Sequence, residues 1–465
     1  MTMNSFKNML FAGLVCCGIT ATATSCRENE FGEVDLDIPE DTYTPVDAKY
    51  VFASHCAMFS DDDFARVKKS LDDGTAPQAV KDEFQNLKNS KYTVLPYTPN
   101  PVAVLVRGDA TGTGVDKENA HYAMEDAAAA YQMGILWRLT GDSRYADNAV
   151  KILNEWAKTC TKVTSNDAHQ VLVAGAQGAT FANAGGILAN YSGWNATQQA
   201  VFKKWMTDVF APVNRKFLDT HTGSNVCADH YWSNWDLVNM ASYLSIGVLT
   251  ENSDMVNYVV NYFYQGVGNG CIKKLIRGTH NDPLGTGETI CQNQESGRDQ
   301  AHSAMSVGVT ANICQMAWTL YQSNPNVKEL DFFAANDNAI MKMGEYVALF
   351  NLRNGNDNKN ATGSWLVSVT QMPFERFEYC QPGCGCRDQN HGAIHTQASD
   401  EQRGSIRPGW EILLAHYKST NGHKYIQQMA DKIRPEGGSG EPEMRYGDNS
   451  GAFDQLGWCT LMLYQ

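Results

Sequence analysis

The sequence contains a string of residue types, QESGRDQAH at residues 294–302, that could act together on an acidic group. Ser296 followed by Asp299 is a capping-box pattern, which predicts that a helix begins near Ser296. Arg298 and His302 would then share one face of its first turns, beside the positive end of the helix dipole. A carboxylate would bind well there. The structural alternative is that Arg298 pairs with a neighbouring carboxylate and His302 is a core histidine.

A second string, DHYWSNWD at residues 229–236, has the pattern of a helix start with polar and aromatic groups. His230 and Asn234 lie one turn apart above an apolar stripe. Tyr231 and Trp235 offer faces on which sugar rings can stack. The alternative is a helix that simply packs through its aromatic side chains.

Together the two strings hold the groups that β-elimination on a uronic acid requires. The proton beside the carboxylate is too weakly acidic to remove until the carboxylate charge is neutralised. Arg298 and Asn234, with help from His230, can neutralise it through hydrogen bonds that strengthen as the enolate develops. A histidine such as His302, or a tyrosine, can take the proton, and a tyrosine or a histidine can return one to the leaving oxygen.

Other polar residues are weaker candidates for contacts with a substrate. Gln177 lies in a helix of small residues and could face a cleft, although such a glutamine is as often a surface residue. The string RGSIRPGWE has the composition of a subsite, with Arg403 and Arg407 for carboxylates and Trp410 for stacking. The alternative is a structural pair between an arginine and Glu411 beside a proline turn.

A tract rich in cysteine and histidine invites comparison with zinc sites, but its spacing matches no standard structural site. We therefore predict no metal. The tract comprises Cys380, Cys384, Cys386, His391 and His395.

Composition limits the class of function. The 465 residues are 43% hydrophobic and 19% charged, which is typical of a globular protein with one large core or two ordinary ones. The net charge of -14 argues against nucleic acid or an anionic membrane surface as a partner, because no excess of basic residues exists to neutralise phosphates. An anionic substrate would need a local positive pocket.

The N-terminus has the pattern of an export signal. Lys7 precedes a short apolar run at residues 9–19, which suits a signal peptide over residues 1–25. The following Cys26 resembles the lipidated residue of bacterial lipoproteins, and residues 26–50 read as a tether. We expect an outer-membrane or periplasmic lipoprotein of a Gram-negative bacterium, in contact with the membrane only through its lipid. Disulfides are permitted there, but spacing leaves their pairing open.

Residues 51–465 are dominated by helical periodicity, and pairs of helices recur with glycine-rich polar loops between them. Such repeated hairpins predict an all-α fold, an α/α toroid or incomplete α/α barrel with long loop insertions. A plain helical bundle is the alternative. The tract at 355–410 reads as a large insertion with a short extended run at 365–370.

Four strings carry a resemblance to a known family: the two above, GEYVALFN at residues 344–351, and the closing RPEGG with SGAFDQLGW. They resemble the alginate lyase superfamily, closest to polysaccharide lyase family 38 and more distantly to family 5, from about Ala120 to the C-terminus. The resemblance implies an α/α toroid that cleaves alginate or a related polyuronate by β-elimination, without a cofactor.

Carried over residue by residue, the resemblance places the family's Glu-x-x-Arg on Glu295 and Arg298, and its Asn/His element on His230 and Asn234. Family 5 has a catalytic tyrosine two turns beyond the arginine, where this chain has Met305. The tyrosine must therefore come from elsewhere. The first choice is Tyr346 and the second is Tyr231.

We therefore predict a polyuronate lyase that acts on an anionic polysaccharide. An inverting glycoside hydrolase on uronic-acid glycans would need two free carboxylates. A non-catalytic glycan-binding lipoprotein would keep the aromatic rings and lack the base. The predicted catalytic residues are His302, Arg298, His230, Asn234 and Tyr346. The predicted substrate-binding residues are Glu295, Gln294, Tyr231, Trp235, Gln177, Arg403, Arg407 and Trp410.

Overall fold

The computed structural model describes residues 43–108, 117–165, 168–221, 228–354, 363–378, 394–405, 407–434 and 453–464. The leader, Cys26 and most of the cysteine-rich tract lie outside these ranges. The helices of the described part are α1 Asp61–Asp72, α2 Gln78–Lys88, α3 Ala120–Thr140, α4 Ser143–Thr159, α5 Gln170–Leu188, α6 Ala196–Trp205, α7 Ala211–Thr220, α8 Ser233–Leu249, α9 Ser253–Gln265, α10 Ile272–Leu275, α11 Gln300–Tyr321, α12 Ala335–Asn351, α13 Trp410–Tyr417, α14 Lys424–Ile433 and α15 Cys459–Leu463.

The helices form two layers. Helices α3, α5, α8, α11 and α13 are successive neighbours in an inner ring, and α15 connects α13 back to α1 and α2. Outer helices such as α4, α7, α9 and α14 pack behind them. This arrangement confirms the predicted α/α toroid of helical hairpins.

The inner helices are largely buried. In α5 nearly every side chain from Val171 to Leu188 is buried, and it is the one helix of the described chain whose length and composition would suit a membrane span. Because it is enclosed by α3 and α8, it is a core helix of the toroid. Glycines allow the close contact with α8: a Cβ at Gly175 would lie 2.6 Å from Val238, and one at Gly178 would lie 2.3 Å from Ser242.

Helices α5, α8 and α11 begin at the same end of the toroid, because outer elements return the chain between them. His169, just before α5, contacts Trp235 at the start of α8, with ring centroids 5.4 Å apart. Asn234 at the start of α8 contacts His302 in the first turn of α11. We call this end the mouth.

The C-terminal segment 453–457 crosses the bore of the toroid. The side chain of Gln177 in α5 donates to the carbonyl of Phe453 at 3.1 Å, and that of Asn312 in α11 donates to the carbonyl of Leu456 at 3.1 Å. This segment therefore closes the bore, and the mouth is a pocket rather than a channel. We call residues 453–457 the floor of the mouth.

Strands are short and peripheral. The strand predicted at residues 365–370 is wrong: Trp365 forms a single bridge with Arg353, and the segment continues as bends. The strands of the described part are β1 Val104–Val106, parallel to β2 Lys162–Thr164; β3 Ile276–Asn281, antiparallel to β4 Thr289–Asn293; and β5 Phe377–Glu378, antiparallel to β6 Ile394–His395.

Residues 43–51 form a strap along the outside of α9. The amide of Asn261 accepts from the Val46 N–H at 2.7 Å and donates to the Val46 carbonyl at 2.9 Å. The amide of Asn257 likewise binds both the N–H and the carbonyl of Ala48, and the amide of Asn324 binds both groups of Val51. The sequence assigns residues 43–50 to a tether, but the structure binds them to the toroid, because paired amides satisfy an extended backbone as a neighbouring strand would.

Candidate active site at the mouth of the toroid

The two strings with catalytic residue types meet at the start of α8. Trp232 provides no side-chain cap for this helix. Instead the side chain of Gln294 accepts from the Ser233 N–H at 2.9 Å, and that of Glu295 accepts from the Asn234 N–H at 3.2 Å. Both side chains are buried. The structure therefore gives Gln294 and Glu295 a capping role rather than the predicted contact with substrate.

Asn234 joins α8 to α11. Its amide nitrogen donates to the carbonyl of His302 at 3.0 Å, and its oxygen accepts from the Ser306 hydroxyl at 2.9 Å. The side chain is buried. Asn234 thereby fixes the distance between the two helix starts.

Helix α11 begins at Gln300, so the predicted start near Ser296 is wrong. The N-cap is Asp299, whose carboxylate accepts from the His302 N–H at 2.8 Å. The Ser296 hydroxyl donates a hydrogen bond to the carbonyl of Asn293 at 2.7 Å and therefore does not cap a helix. Arg298 therefore lies in the turn that precedes the helix.

His302 forms a dyad with Asp299. The Nδ1 atom lies 2.6 Å from a carboxylate oxygen of Asp299, and the side chain is 30% exposed. Because a carboxylate accepts, Nδ1 carries a proton, and the ring in its neutral form has its lone pair on Nε2. Burial alone would raise the pKa of Asp299, but the hydrogen bonds and charge of His302, with the charge of Arg298, hold it below its ordinary value. This arrangement suits a general base.

Arg298 is placed between two carboxylates and an aromatic ring. Its guanidinium lies 3.3 Å from Glu295, 3.6 Å from Asp299 and 5.1 Å from the ring centre of Trp232, and the side chain is 29% exposed. Burial raises the pKa of Glu295 even though the charges of Arg298 and His302 oppose that shift. A partly exposed, well-held guanidinium can accept a further carboxylate from solution.

The floor of the mouth carries another ion pair. Arg407 donates to the carboxylate of Asp454 at 2.9 Å, and both side chains are buried. Burial raises the pKa of Asp454, against the opposing charges of Arg407, Arg107 and His302. The charge of Arg407 is thus already paired within the protein.

Aromatic residues flank the start of α8. Trp235 is half-buried between Tyr231 and His169, with ring centroids 4.8 and 5.4 Å away. His230 is half-buried on the turn before α8 and meets the ring of Tyr231 edge-on at 4.8 Å. Tyr231 itself is buried, so Trp235 is the ring of this pair that offers surface for stacking.

Two predicted residues, Tyr346 and Trp410, have buried side chains. Tyr346 is 1% exposed and its hydroxyl donates to the carbonyl of Pro373 at 2.8 Å, so its assignment as catalytic acid is wrong. Burial raises the pKa of Tyr346, which further disfavours proton transfer. Trp410 is also 1% exposed, at the start of α13, so it cannot stack on a sugar. Both are large rings that fill the core.

The remaining predicted contacts are structural. Arg403 donates to the carbonyls of Phe350 and Val367 at 2.5 and 2.7 Å, and its guanidinium lies between aromatic rings. Burial lowers its pKa to about 10. Gln177 is buried and bound to Phe453. Neither position agrees with the predicted contact with a substrate.

The sequence did not indicate that Asn269 and His395 belong to this region. The buried amide of Asn269 donates to the carbonyls of Asp229 and Tyr231, at 3.2 and 2.8 Å, on either side of His230. His395 was predicted only as part of the cysteine-rich tract, and its Nδ1 lies 2.9 Å from the carbonyl of Gly297. Neither contact has a local sequence signal, because each joins distant segments.

The described residues contain no cluster of three or more histidine, cysteine or acidic side chains able to hold a metal ion. Cys380, Cys384, Cys386 and His391 lie outside the described ranges. Several cysteines within those ranges are buried free thiols, namely Cys56, Cys160, Cys271, Cys291, Cys314 and Cys459.

Comparison with known proteins decides the family. A family model described as alginate lyase matches residues 75–357, more than half of the chain. The chain belongs to the alginate lyase family. It is therefore a polysaccharide lyase, an enzyme of the carbon-oxygen lyase class. No curated protein matches the chain.

Solved alginate lyases share the fold at low sequence identity. A variant of alginate lyase A1-III, an enzyme from Sphingomonas species A1, in its apo form is 14% identical, with a TM-score of 0.51 over 89% of this chain and 96% of that one. An alginate lyase from Bacteroides ovatus is 13% identical, with a TM-score of 0.50 over 85% of this chain and 100% of that one. At these identities the likeness establishes the α/α toroid of this alginate lyase family member and not its site.

Proposed function

We propose that this family member cleaves alginate or a related polyuronate by β-elimination at the mouth, and that it is closest to polysaccharide lyase family 38. The observation that carries the proposal is the contact between the two helix starts. It brings the start of α8 against the segment that carries a partly exposed guanidinium, Arg298, and an imidazole, His302, whose Nδ1 is held by Asp299.

Arg298 neutralises the carboxylate of the sugar to be cleaved. The positive ends of α5, α8 and α11 meet at the mouth and favour an anion there. These local charges matter because the chain as a whole carries a net charge of -14. As the enolate forms, negative charge grows on the carboxylate oxygens and the hydrogen bonds from Arg298 strengthen, which lowers the barrier.

His302 takes the proton beside that carboxylate on Nε2. The carbon-hydrogen bond breaks, a carbon-carbon double bond forms, and the bond from the neighbouring carbon to the glycosidic oxygen breaks. Because Tyr346 is committed to the core, we assign the return of the proton to the imidazolium of His302, which donates from Nε2 to the leaving oxygen. Atoms and charge balance with no cofactor.

A single acid-base residue requires the hydrogen and the leaving oxygen to lie on the same face of the sugar ring. Mannuronate and glucuronate residues satisfy this condition, whereas guluronate and iduronate residues, epimers at the carbon that bears the carboxylate, do not. We therefore propose a preference for mannuronate-type or glucuronate-type polymers.

The test is to incubate the full mature protein with polymannuronate, polyguluronate, polyglucuronate and a neutral polysaccharide, and to follow the ultraviolet absorbance of the unsaturated product. We expect absorbance to rise with polymannuronate or polyglucuronate. New reducing ends without that absorbance would indicate hydrolysis. Binding without either signal would indicate a glycan-binding protein.

The carboxylates at the mouth favour elimination over hydrolysis. Glu295 caps α8, Asp299 holds His302, and Asp454 pairs with Arg407. An inverting hydrolase needs two carboxyl groups free to flank the bond. Each of these three is instead committed to a neighbour within the protein.

We also propose that the protein is exported and anchored through a lipid on Cys26, as an outer-membrane or periplasmic lipoprotein. Support comes from the apolar run at residues 9–19 and from the strap, which fixes the chain to the toroid from residue 43 onward. Fractionation of cells that express the wild type and Cys26→Ser tests this. We expect the variant to leave the membrane fraction, and its retention there would contradict the anchor.

A further inference from the structure

His395 approaches the turn that carries Arg298 from a distant part of the chain. It lies on β6, opposite Phe377 in the register of the β5 and β6 pair. Its Nδ1 is 2.9 Å from the carbonyl oxygen of Gly297, the residue directly before Arg298. A carbonyl can only accept a hydrogen bond, so Nδ1 carries the proton and donates it.

The contact depends on the absence of a side chain at position 297. A Cβ built on Gly297 would lie 2.7 Å from the Cβ of His395 and 2.8 Å from its Nδ1. Neither ring nor backbone could stay in place at such distances. The chain thus has a glycine where the imidazole must approach the peptide next to Arg298.

Aromatic packing fixes the imidazole ring. Phe377 is stacked on His395 with centroids 4.9 Å apart, and Trp232 meets it edge-on at 5.6 Å. The same Trp232 ring lies 5.1 Å from the guanidinium of Arg298. His395 is therefore coupled to Arg298 by two routes, one through the Gly297 peptide and one through the indole.

The segment that follows His395 holds the same turn through its backbone. The Ser399 N–H donates to the carbonyl of Ser296 at 3.0 Å. Gln300 donates from its N–H to the Glu401 carbonyl and from its side chain to the Ser399 carbonyl, both at 2.9 Å. These bonds hold the turn on both sides of Arg298, and the imidazole of His395 adds a side-chain donor at the peptide next to it.

We propose that His395 is a positioning residue for Arg298, an inference that rests on the proposed lyase function. It does not touch the substrate: its Nε2 is buried, without a hydrogen-bond partner among the described residues. Its task is to keep the Gly297 peptide, and with it the guanidinium, in the position where charge develops on the substrate carboxylate. Stabilisation of that charge depends on groups held in place before the reaction.

Two substitutions separate the hydrogen bond from the packing. His395→Phe keeps a ring between Phe377 and Trp232 and removes the donor. His395→Asn removes the ring and keeps a donor, because the amide nitrogen of asparagine occupies nearly the position of Nδ1. Steady-state kinetics on the preferred polyuronate and Tm are measured for both variants.

We expect His395→Phe to lower kcat about 10- to 100-fold with little change in KM, as a small shift of a catalytic group would do. His395→Asn should recover most of that loss. The matched control is His416→Phe: His416 is also half-buried and stacked on a phenylalanine, Phe333, at 3.9 Å, but lies near the end of α13. Its replacement should leave kcat unchanged.

A double-mutant cycle with Arg298→Ala tests the coupling. If His395 acts through Arg298, His395→Phe should have almost no further effect on kcat in the Arg298→Ala background. Independent effects that multiply in the double variant would overturn the proposal. So would equal losses of kcat and Tm in His395→Phe and His395→Asn, or an unchanged kcat in both. A wild type that forms no unsaturated product would overturn the proposed function itself, and this role with it.

Discussion

The mouth and the strap satisfy buried polar groups in opposite ways. At the mouth, Arg298 and His302 are held by the carboxylates Glu295 and Asp299, and the cations remain partly exposed. Along the strap, neutral amides of asparagine each bind one backbone N–H and one backbone carbonyl. The strap thus uses pairs without charge, whereas the mouth concentrates charge.

This difference separates stability from function. Neutral pairs that satisfy both partners stabilise a fold with little desolvation cost. Buried ions must overcome a large desolvation cost, and charged sites are commonly retained because activity requires them. Substitutions at the mouth should therefore change activity more than stability, and substitutions at the strap should do the reverse.

The largest effect is expected for His302→Ala. Removal of the general base should lower kcat about 1000-fold on the preferred polyuronate, because proton transfer then depends on water. Tm at pH 7 should fall only modestly, because the ring is partly exposed but its loss removes hydrogen bonds that lower the pKa of Asp299. The control is His423→Ala, at the start of the outer helix α14, which should retain wild-type kcat. A kcat of His302→Ala close to wild type would remove His302 from the mechanism.

Asp299→Asn should lower kcat about 100-fold, because the amide no longer holds His302 in the tautomer with its lone pair on Nε2. The same substitution should also lower stability at neutral pH. The pKa of Asp299 lies below its ordinary value, so the carboxylate stabilises the fold above the unfolded pKa of about 4, and this is lost as pH falls through the folded pKa. The variant should melt below wild type at pH 7, and the gap should close in acid. A gap that widens in acid would contradict the ion pair.

Glu295→Gln should affect stability in the opposite direction. Burial raises the pKa of Glu295, so its carboxylate destabilises the fold once pH exceeds the unfolded pKa. Glutamine keeps the acceptor for Asn234 and removes the charge, so Tm at neutral pH should rise by ~1–2 °C, and the gain should vanish in acid. We expect kcat to fall about tenfold, because Arg298 loses an ion partner. A variant that is both less stable and fully active would contradict this account.

Asn257→Ala should have the smallest effect on activity. It leaves the N–H and carbonyl of Ala48 and the hydroxyl of Tyr50 without their protein partner, which should lower the free energy of unfolding by about 1 to 2 kcal/mol. Chemical denaturation measures this, and kcat should stay within about twofold of wild type. A large loss of kcat with unchanged stability would show that strap and mouth are not separable.

The fold followed from local patterns because its helices are locally encoded. The hairpin of α3 and α4 illustrates this: Gly141 ends α3 in the left-handed region at a φ of +73°, and Asp142 caps α4. The two residues are consecutive in the sequence, so the turn between the helices is specified locally. The meeting of His302 with Asn234 could be anticipated for a related reason, since inner helices of a toroid start at one end.

The exact geometry of the site depends on contacts between distant segments. The turn before α11 extends to Asp299 because residues 399–401 bind its backbone, a contact that no local pattern around Ser296 reveals. Tyr346 and Trp410 are residue types that a sugar-binding active site would use, but their side chains are buried in the core. His395 lies almost a hundred positions from Gly297, and only the fold brings them together.

The role of Arg298 is tested by comparing wild type with Arg298→Ala on polymannuronate. The rate of product formation is followed by the ultraviolet absorbance of the unsaturated product, and Tm is the check on folding. We predict that wild type forms the product and that Arg298→Ala, folded but with a lower Tm because the buried Glu295 loses its ion partner, forms it about 1000-fold more slowly. A folded Arg298→Ala that works at the wild-type rate would contradict the claim that this guanidinium neutralises the sugar carboxylate.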